Sequence, residues 1–260
     1  MSYVSVAGVA KTFRRGAVVT HALAAVDLTL REGEFVCVVG PSGCGKSTLL
    51  RLIAGLLAPS AGTVQLDGKG VHAPQTNLGV VFQSPVLLEW RTVLDNVLVQ
   101  LELRGLDPEA YRERAIQLLS RVGLAEFVDR FPRELSGGMR QRTAIVRSLI
   151  HDPPFLLMDE PFGALDALTR EQMRLDLEAL WMEAGKTVLF ITHSIDEAVL
   201  LADRVIVMSA RPGKVEREIP IGLPRPRGLA ARQAPEFMAA TSAITGIFLA
   251  RGILHQEIRK

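Results

Sequence analysis

Apolar residues recur at close to every second position through residues 3–36, as Val4, Val6 and Val9 and then as Leu23, Val26, Leu28 and Leu30. A period near two marks strands with one buried face. Turns at Arg15-Gly16 and Glu32-Gly33 bound these runs, so the pattern predicts an antiparallel β-layer. It leads into Phe35-Val36-Cys37-Val38-Val39, an unbroken apolar run of the kind found in strands buried on both faces. The spacing then predicts a helix over 48–54, a strand over 63–68 closing on a turn, and another buried strand over 78–83. Between about Ser84 and Leu135 the period becomes helical. Pro85, Gly105, Pro108 and Gly123 punctuate two apolar series: Val93, Leu94, Val97, Leu98 and Leu101, then Ala115, Ile116, Leu119 and Val122. This predicts a small helical subdomain, over about 84–150, inserted into an α/β core. Buried strands return at 155–160, 187–192 and 204–209, with an amphipathic helix over 169–183 that stops at Gly185. Residues 1–220 are expected to form one domain. Pro224-Arg225-Pro226-Arg227 reads as a linker, with one amphipathic helix in the tail, 221–260.

Composition narrows the class. Of the 260 residues 48% are apolar, which supports a folded core. The formal charge of +2 gives no electrostatic footprint for nucleic acid, and none is expected as a partner. Two cysteines, Cys37 and Cys44, suggest neither a disulfide framework nor a metal site and fit a reducing compartment. The uncharged stretch from Phe237 to Ala250 is shorter than the roughly 20 residues a spanning helix needs. The first residues, Met1 to Ser5, lack the regions of a signal peptide. A cytoplasmic protein is expected, reaching a membrane only by docking onto another protein.

The candidate chemistry begins at Gly40-Pro41-Ser42-Gly43-Cys44-Gly45-Lys46-Ser47-Thr48, which fits the phosphate-loop pattern G-x-x-x-x-G-K-[ST] between a strand and a helix. Glycines allow the tight turn that aims backbone N–H groups at a polyphosphate. Lys46 supplies an ammonium and Ser47 a hydroxyl for Mg²⁺. Ser136-Gly137-Gly138 opens a second helix, with Ser136 as its natural cap, and offers another anion-binding surface. Asp159 and Glu160 end an apolar strand; the first suits a water-held Mg²⁺ and the second a base that polarises water. His193 stands at a strand exit, either structural or facing a γ-phosphate. Gln83 reads as a solvated residue or a functional one, and Phe13 as an adenine-stacking aromatic or a plug under the β-layer. Trp90 with Leu87, Leu88 and Val93 reads as internal packing or as a docking surface.

In this order the motifs resemble those of ABC transporter ATP-binding subunits over about residues 3–220. The resemblance implies a P-loop NTPase fold, a mainly parallel sheet flanked by helices, with an N-terminal antiparallel β-layer and an inserted helical subdomain. It also implies ATP and Mg²⁺ as cofactors. Gln83 falls at the family's Q-loop glutamine, Leu135 to Gly138 match its signature, and Asp159 and Glu160 its Walker B aspartate and catalytic glutamate. Ala164-Leu165-Asp166 match the D-loop, His193 the switch histidine, and Phe13 the adenine-stacking position. Met139 departs from the glutamine common at that place. Ser47, Gln83 and Asp159 would serve Mg²⁺, while Ser136, Gly137, Gly138 and Asp166 would reach the ATP of a second copy in a head-to-tail homodimer.

Glu89 to Val93, Leu168 to Met173, Ile191 to Ala198 and Met208 to Gly213 look like the nitrate-, sulfonate- and taurine-type importer ATPases. That likeness implies two copies of a transmembrane permease subunit, an extracytoplasmic solute-binding protein, and a peripheral place on the cytoplasmic face of the inner membrane. An exporter or lipid-trafficking ATPase is the alternative within transport, and a soluble ATPase acting on nucleic acid or ribosomes the alternative outside it. A simple P-loop kinase or GTPase leaves the Ser-Gly-Gly and Asp-Glu pairs without a use.

Overall fold

The computed structural model describes residues 2–254. Its chain begins with strands β1 (Ser2–Arg15), β2 (Val18–Arg31) and β3 (Phe35–Val39), then helix α1 (Lys46–Ile53). Strands β4 (Ala61–Leu66), β5 (Lys69–Gly70) and β6 (Gly79–Val81) follow, with helices α2 (Val93–Glu102), α3 (Arg112–Arg121) and α4 (Gly137–Leu149). The rest comprises β7 (Phe155–Asp159), α5 (Ala167–Ala184), β8 (Thr187–Thr192), α6 (Ile195–Leu201), β9 (Arg204–Met208), β10 (Val215–Pro220) and α7 (Pro235–Ala250). The chain divides into two compact units, one of residues 1–75 with 187–260 and one of residues 76–186. The helical stretch expected over about 84–150 lies inside the second.

In the first unit β1 pairs antiparallel with β2 and β4, and β5 extends the layer in the order β2-β1-β4-β5. Val4, Val6, Val9, Leu23, Val26, Leu28 and Leu30 are all buried, as the alternation requires. Strand β3 lies between β8 and β9 and runs parallel to both, while β10 pairs antiparallel with β9. Every residue of β3 and β8 is buried, which is why these strands read as continuous apolar runs.

The second unit pairs β6 with β7 in parallel. Its helices close on a cluster that holds Val93, Leu94, Val97, Leu98, Leu101, Ala115, Leu119 and Val122. Ile116, expected among them, is 39% exposed instead. It lies only one residue from Ala115, about 100° around the helix from that buried face.

Besides the two-residue β5, two described elements escape the sequence pattern. Helix α6 is seven residues long and β10 is a charged edge strand, Val-Glu-Arg-Glu-Ile-Pro. The stretch expected to act as a linker is anchored at two arginines. Arg225 donates to Asp203 Oδ1 at 2.9 Å and to the Leu201 carbonyl at 2.5 Å. Arg227 is only 1% exposed and donates to the carbonyls of Leu223, Val199 and Ala202 at 2.7–3.0 Å. These guanidiniums satisfy the carbonyl end of α6, a job otherwise left to water or a cap. Arg227→Met is therefore expected to lower the unfolding free energy by about 3 kcal/mol, since it leaves several buried acceptors without a donor. A fall in urea midpoint at unchanged slope would register this, and an unchanged midpoint would refute it. Beyond the anchor lies α7, which buries Phe237, Ile244 and Phe248 along one side. Residues 255–260 of the expected tail helix lie outside the described residues.

Candidate functional site

Residues 40–45 turn the chain from β3 into α1. Gly43 and Gly45 adopt φ of +73° and +107°, a region that side chains rarely enter. A Cβ at Gly45 would also fall 2.6 Å from Leu23 Cδ2 and 2.8 Å from the Ala22 carbonyl oxygen. No side chain caps α1, and a helix start of this kind suits an anion. Lys46 is buried, and its Nζ donates to the carbonyls of Gly40 at 2.8 Å and Pro41 at 3.2 Å, which folds the ammonium back along the loop. Pro41, Ser47 and Thr48 are half-buried, and Ser42 and Gly43 exposed. Cys44 is buried, and burial pushes its thiol up. A tight glycine turn, an uncapped helix start and a folded-over lysine together fit a polyphosphate.

Sheet register brings His193 to the same edge. Val39, the last residue before Gly40, pairs with Thr192, the last before His193. His193 is exposed, and the turn behind it is fixed. The Thr192 hydroxyl donates to the Glu197 carboxylate at 2.6 Å and accepts from Ser194 N at 3.0 Å, while Ser194 caps α6 through Glu197 N. Phe13 lies on the β1–β2 hairpin and is 40% exposed, so it is no buried plug. Lys11 Nζ sits 5.3 Å from its ring centroid.

In the second unit β7 is buried throughout and ends at Asp159, itself buried. Glu160 then takes φ +45°, left-handed for a residue with a side chain, a strain that gathers at functional positions. A Cβ placed on Gly163 would lie 3.7 Å from both Glu160 Oε2 and Gln83 Nε2, so the two side chains flank that glycine.

Helix α4 begins at the Ser-Gly-Gly segment, where Ser136 Oγ accepts from Met139 N at 3.2 Å. Asp166 caps α5 by accepting from Thr169 N at 3.0 Å, and Thr169, through its hydroxyl and amide, holds the Asp166 carboxyl below the usual range. The two helix starts meet: a Cβ at Gly138 would fall 2.6 Å from Thr169 Cγ2. Among the described residues nothing lies within 4 Å of such a Cβ at Gly137, so their packing does not require a glycine there.

Three residues that the sequence did not single out hold the Gln83 segment. Gln141 donates to the Phe82 carbonyl at 3.3 Å, and Arg147 to those of Pro85 and Val86 at 2.9 Å each. Asn96, fully buried, accepts from Leu88 N at 2.7 Å and donates to the Leu88, Arg91 and Thr92 carbonyls. Nothing in the pattern marks such residues, because their partners are backbone atoms elsewhere. The expected apolar cluster divides here. Val93 is core, Leu87 and Leu88 are half-buried, and Trp90 is 74% exposed.

Comparison with known proteins agrees with this geometry. The ABC transporter family pattern matches residues 23–163. An uncharacterized ABC transporter ATP-binding protein of Methanocaldococcus jannaschii is 50% identical over 226 residues, covering 87% of this chain and 84% of that one. A taurine import ATP-binding protein of Yersinia pestis is 46% identical over 239 residues, 90% of this chain and 94% of its own. A dimeric bacterial ABC transporter cassette is similar in structure, with a TM-score of 0.76 at 37% identity over 84% of this chain and 98% of that one. A post-hydrolysis ATP-binding cassette bound to ADP and Pi gives 0.74 at 36%, with the same coverage. The chain belongs to the ATP-binding family of ABC transporters. It has the P-loop cassette fold and is an ATPase of that type.

Proposed function

We propose that this ATPase energises an importer for a small solute of the nitrate, sulfonate or taurine kind. The observation that carries the reading is the 46% identity to a taurine import ATP-binding protein, of which the chain spans 94%. In this reading Phe13 stacks on adenine, while the amides of residues 40–48 and Lys46 bind the phosphates. Ser47, Gln83 and Asp159 would hold Mg²⁺, which would offset the charge of the phosphate oxygens. Glu160 takes a proton from the attacking water and His193 contacts the γ-phosphate. The strained Glu160 backbone and the approach of both Glu160 and Gln83 to Gly163 support a poised carboxylate.

The unit of action is a homodimer with ATP between the copies, each offering Ser136, Gly137, Gly138 and Asp166 to the other's nucleotide. The open space around Gly137 favours an approach by another molecule at that point. Two permease subunits receive the motion through the Gln83 loop and the exposed Trp90, and a solute-binding protein delivers cargo on the far side. The proposed place is peripheral, on the cytoplasmic face of the inner membrane; no described helix is long and apolar enough to cross a membrane.

Tagged Glu160→Gln protein with ATP, drawn from detergent-solubilised membranes, is expected to bring down a polytopic membrane protein and a solute-binding protein. Recovery of the polytopic protein alone favours export or lipid traffic. Ribosomal or DNA-associated partners without a membrane protein would overturn the transport reading.

A further inference from the structure

Arg211 stands in the turn between β9 and β10, apart from the residues assigned above. Its guanidinium is exposed, yet two of its groups converge on one atom. Nε at 3.0 Å and Nη2 at 2.9 Å both donate to the carbonyl oxygen of Gly43 in the phosphate loop. The turn that carries Arg211 is itself fixed. Ser209 N donates to the Lys214 carbonyl at 2.9 Å, and Lys214 N to Ser209 Oγ at 3.0 Å. Gly213 N donates to the Ala22 carbonyl at 2.9 Å, and its own carbonyl accepts from Ala24 N at 3.1 Å. A Cβ at Gly213 would fall 2.0 Å from the Cys44 carbonyl oxygen, so this turn lies directly against the loop. Only a glycine permits that approach.

The Gly43 carbonyl and the Cys44 N–H belong to one trans peptide plane and point in opposite directions. Holding the carbonyl toward Arg211 therefore turns the Cys44 N–H to the other side of the loop. There it makes a long 3.3 Å bond to the Pro41 carbonyl, weaker than a charged phosphate oxygen would offer. Gly43 sits at φ +73° with no side chain to bias it, so the peptide has little local reason to keep one orientation. The two bonds from Arg211 supply that reason.

We infer that Arg211 is a positioning residue for ATP binding, which sets the Gly43–Cys44 peptide so that the Cys44 amide meets the phosphate chain. The inference rests on the reading that residues 40–48 hold the phosphates, so the test carries a control for each. Affinities for ADP and ATP, steady-state turnover and apo melting temperature are compared for the full chain and for Arg211→Ala, Arg211→Lys and Lys46→Ala. Arg211→Ala is expected to raise both nucleotide Kd values and KM about tenfold, the worth of a charge-assisted hydrogen bond. Its kcat should stay within about twofold and its melting temperature within about 2 °C, since the side chain is exposed. Arg211→Lys should regain less than half of the loss, because an ammonium cannot give the two-pronged contact. Full recovery with lysine would mean that charge alone suffices, and would overturn the inference. So would unchanged affinity in Arg211→Ala while Lys46→Ala loses binding. If Lys46→Ala also binds normally, the phosphate-loop reading falls, and the inference with it.

Discussion

Glu160→Gln is expected to bind ATP as the natural chain does while turning it over about 10²–10⁴-fold more slowly, the usual worth of a positioned general base. The substitution keeps shape and removes only the basic oxygen. It also suits the backbone. Glu160 sits at φ +45°, where a β-branched residue would add steric strain to the loss of the carboxylate and blur the result. Glutamine is unbranched at Cβ and keeps the side chain's length near Gly163. With hydrolysis blocked, ATP should hold two copies together, visible as a dimer on a sizing column that the natural chain shows only transiently. Phosphate release at a near-normal rate would remove Glu160 from its assigned role, whatever the column shows.

Ser136→Arg is expected to leave ATP binding by the monomer intact and to abolish ATP-induced dimerisation. Two effects of this change have to be separated. Ser136 caps α4 through Met139 N, and losing a serine cap costs about 1 kcal/mol, too little to unfold a domain of this size. A guanidinium at the start of α4 also places bulk and positive charge where the partner's nucleotide would lie. Ser136→Ala loses the cap without adding either, and should still dimerise. If Ser136→Arg forms dimers with ATP as readily as Ser136→Ala does, the two copies do not sandwich nucleotide at this helix.

The parts legible in the sequence are those whose cause is local. Phe35 to Val39 is apolar throughout because β8 and β9 flank it in a sheet covered on both faces, and the loop after it spells its own turn in glycines. The caps at Ser136, Asp166 and Ser194 act within three residues of themselves. What stayed hidden acts at a distance. Arg227 in a Pro/Arg-rich stretch has the look of a solvated charge, and nothing nearby shows that its carbonyl partners at Val199 and Ala202 lie on another element. Arg147, Gln141 and Asn96 hold the Gln83 loop in the same way, through backbone atoms that carry no sequence signal. Strand β10 carries no apolar alternation because an edge strand tolerates charges on both sides of its pleat. The two signature glycines also divide here. Thr169 explains Gly138, whereas no described atom explains Gly137.

The placing of β3 between β8 and β9 bears on how the chain is made. When the phosphate loop leaves the ribosome its strand has neither neighbour, for both are encoded about 150 residues later. At synthesis rates of about 5–20 residues per second that interval lasts on the order of ten to thirty seconds. Throughout it a wholly apolar strand stands with two open edges, the arrangement most prone to pair with a foreign chain. The intervening residues 76–186 form a compact unit of their own and are all translated before β8 appears. The phosphate loop is thus translated early and is among the last of the motifs to have its strand framed on both sides.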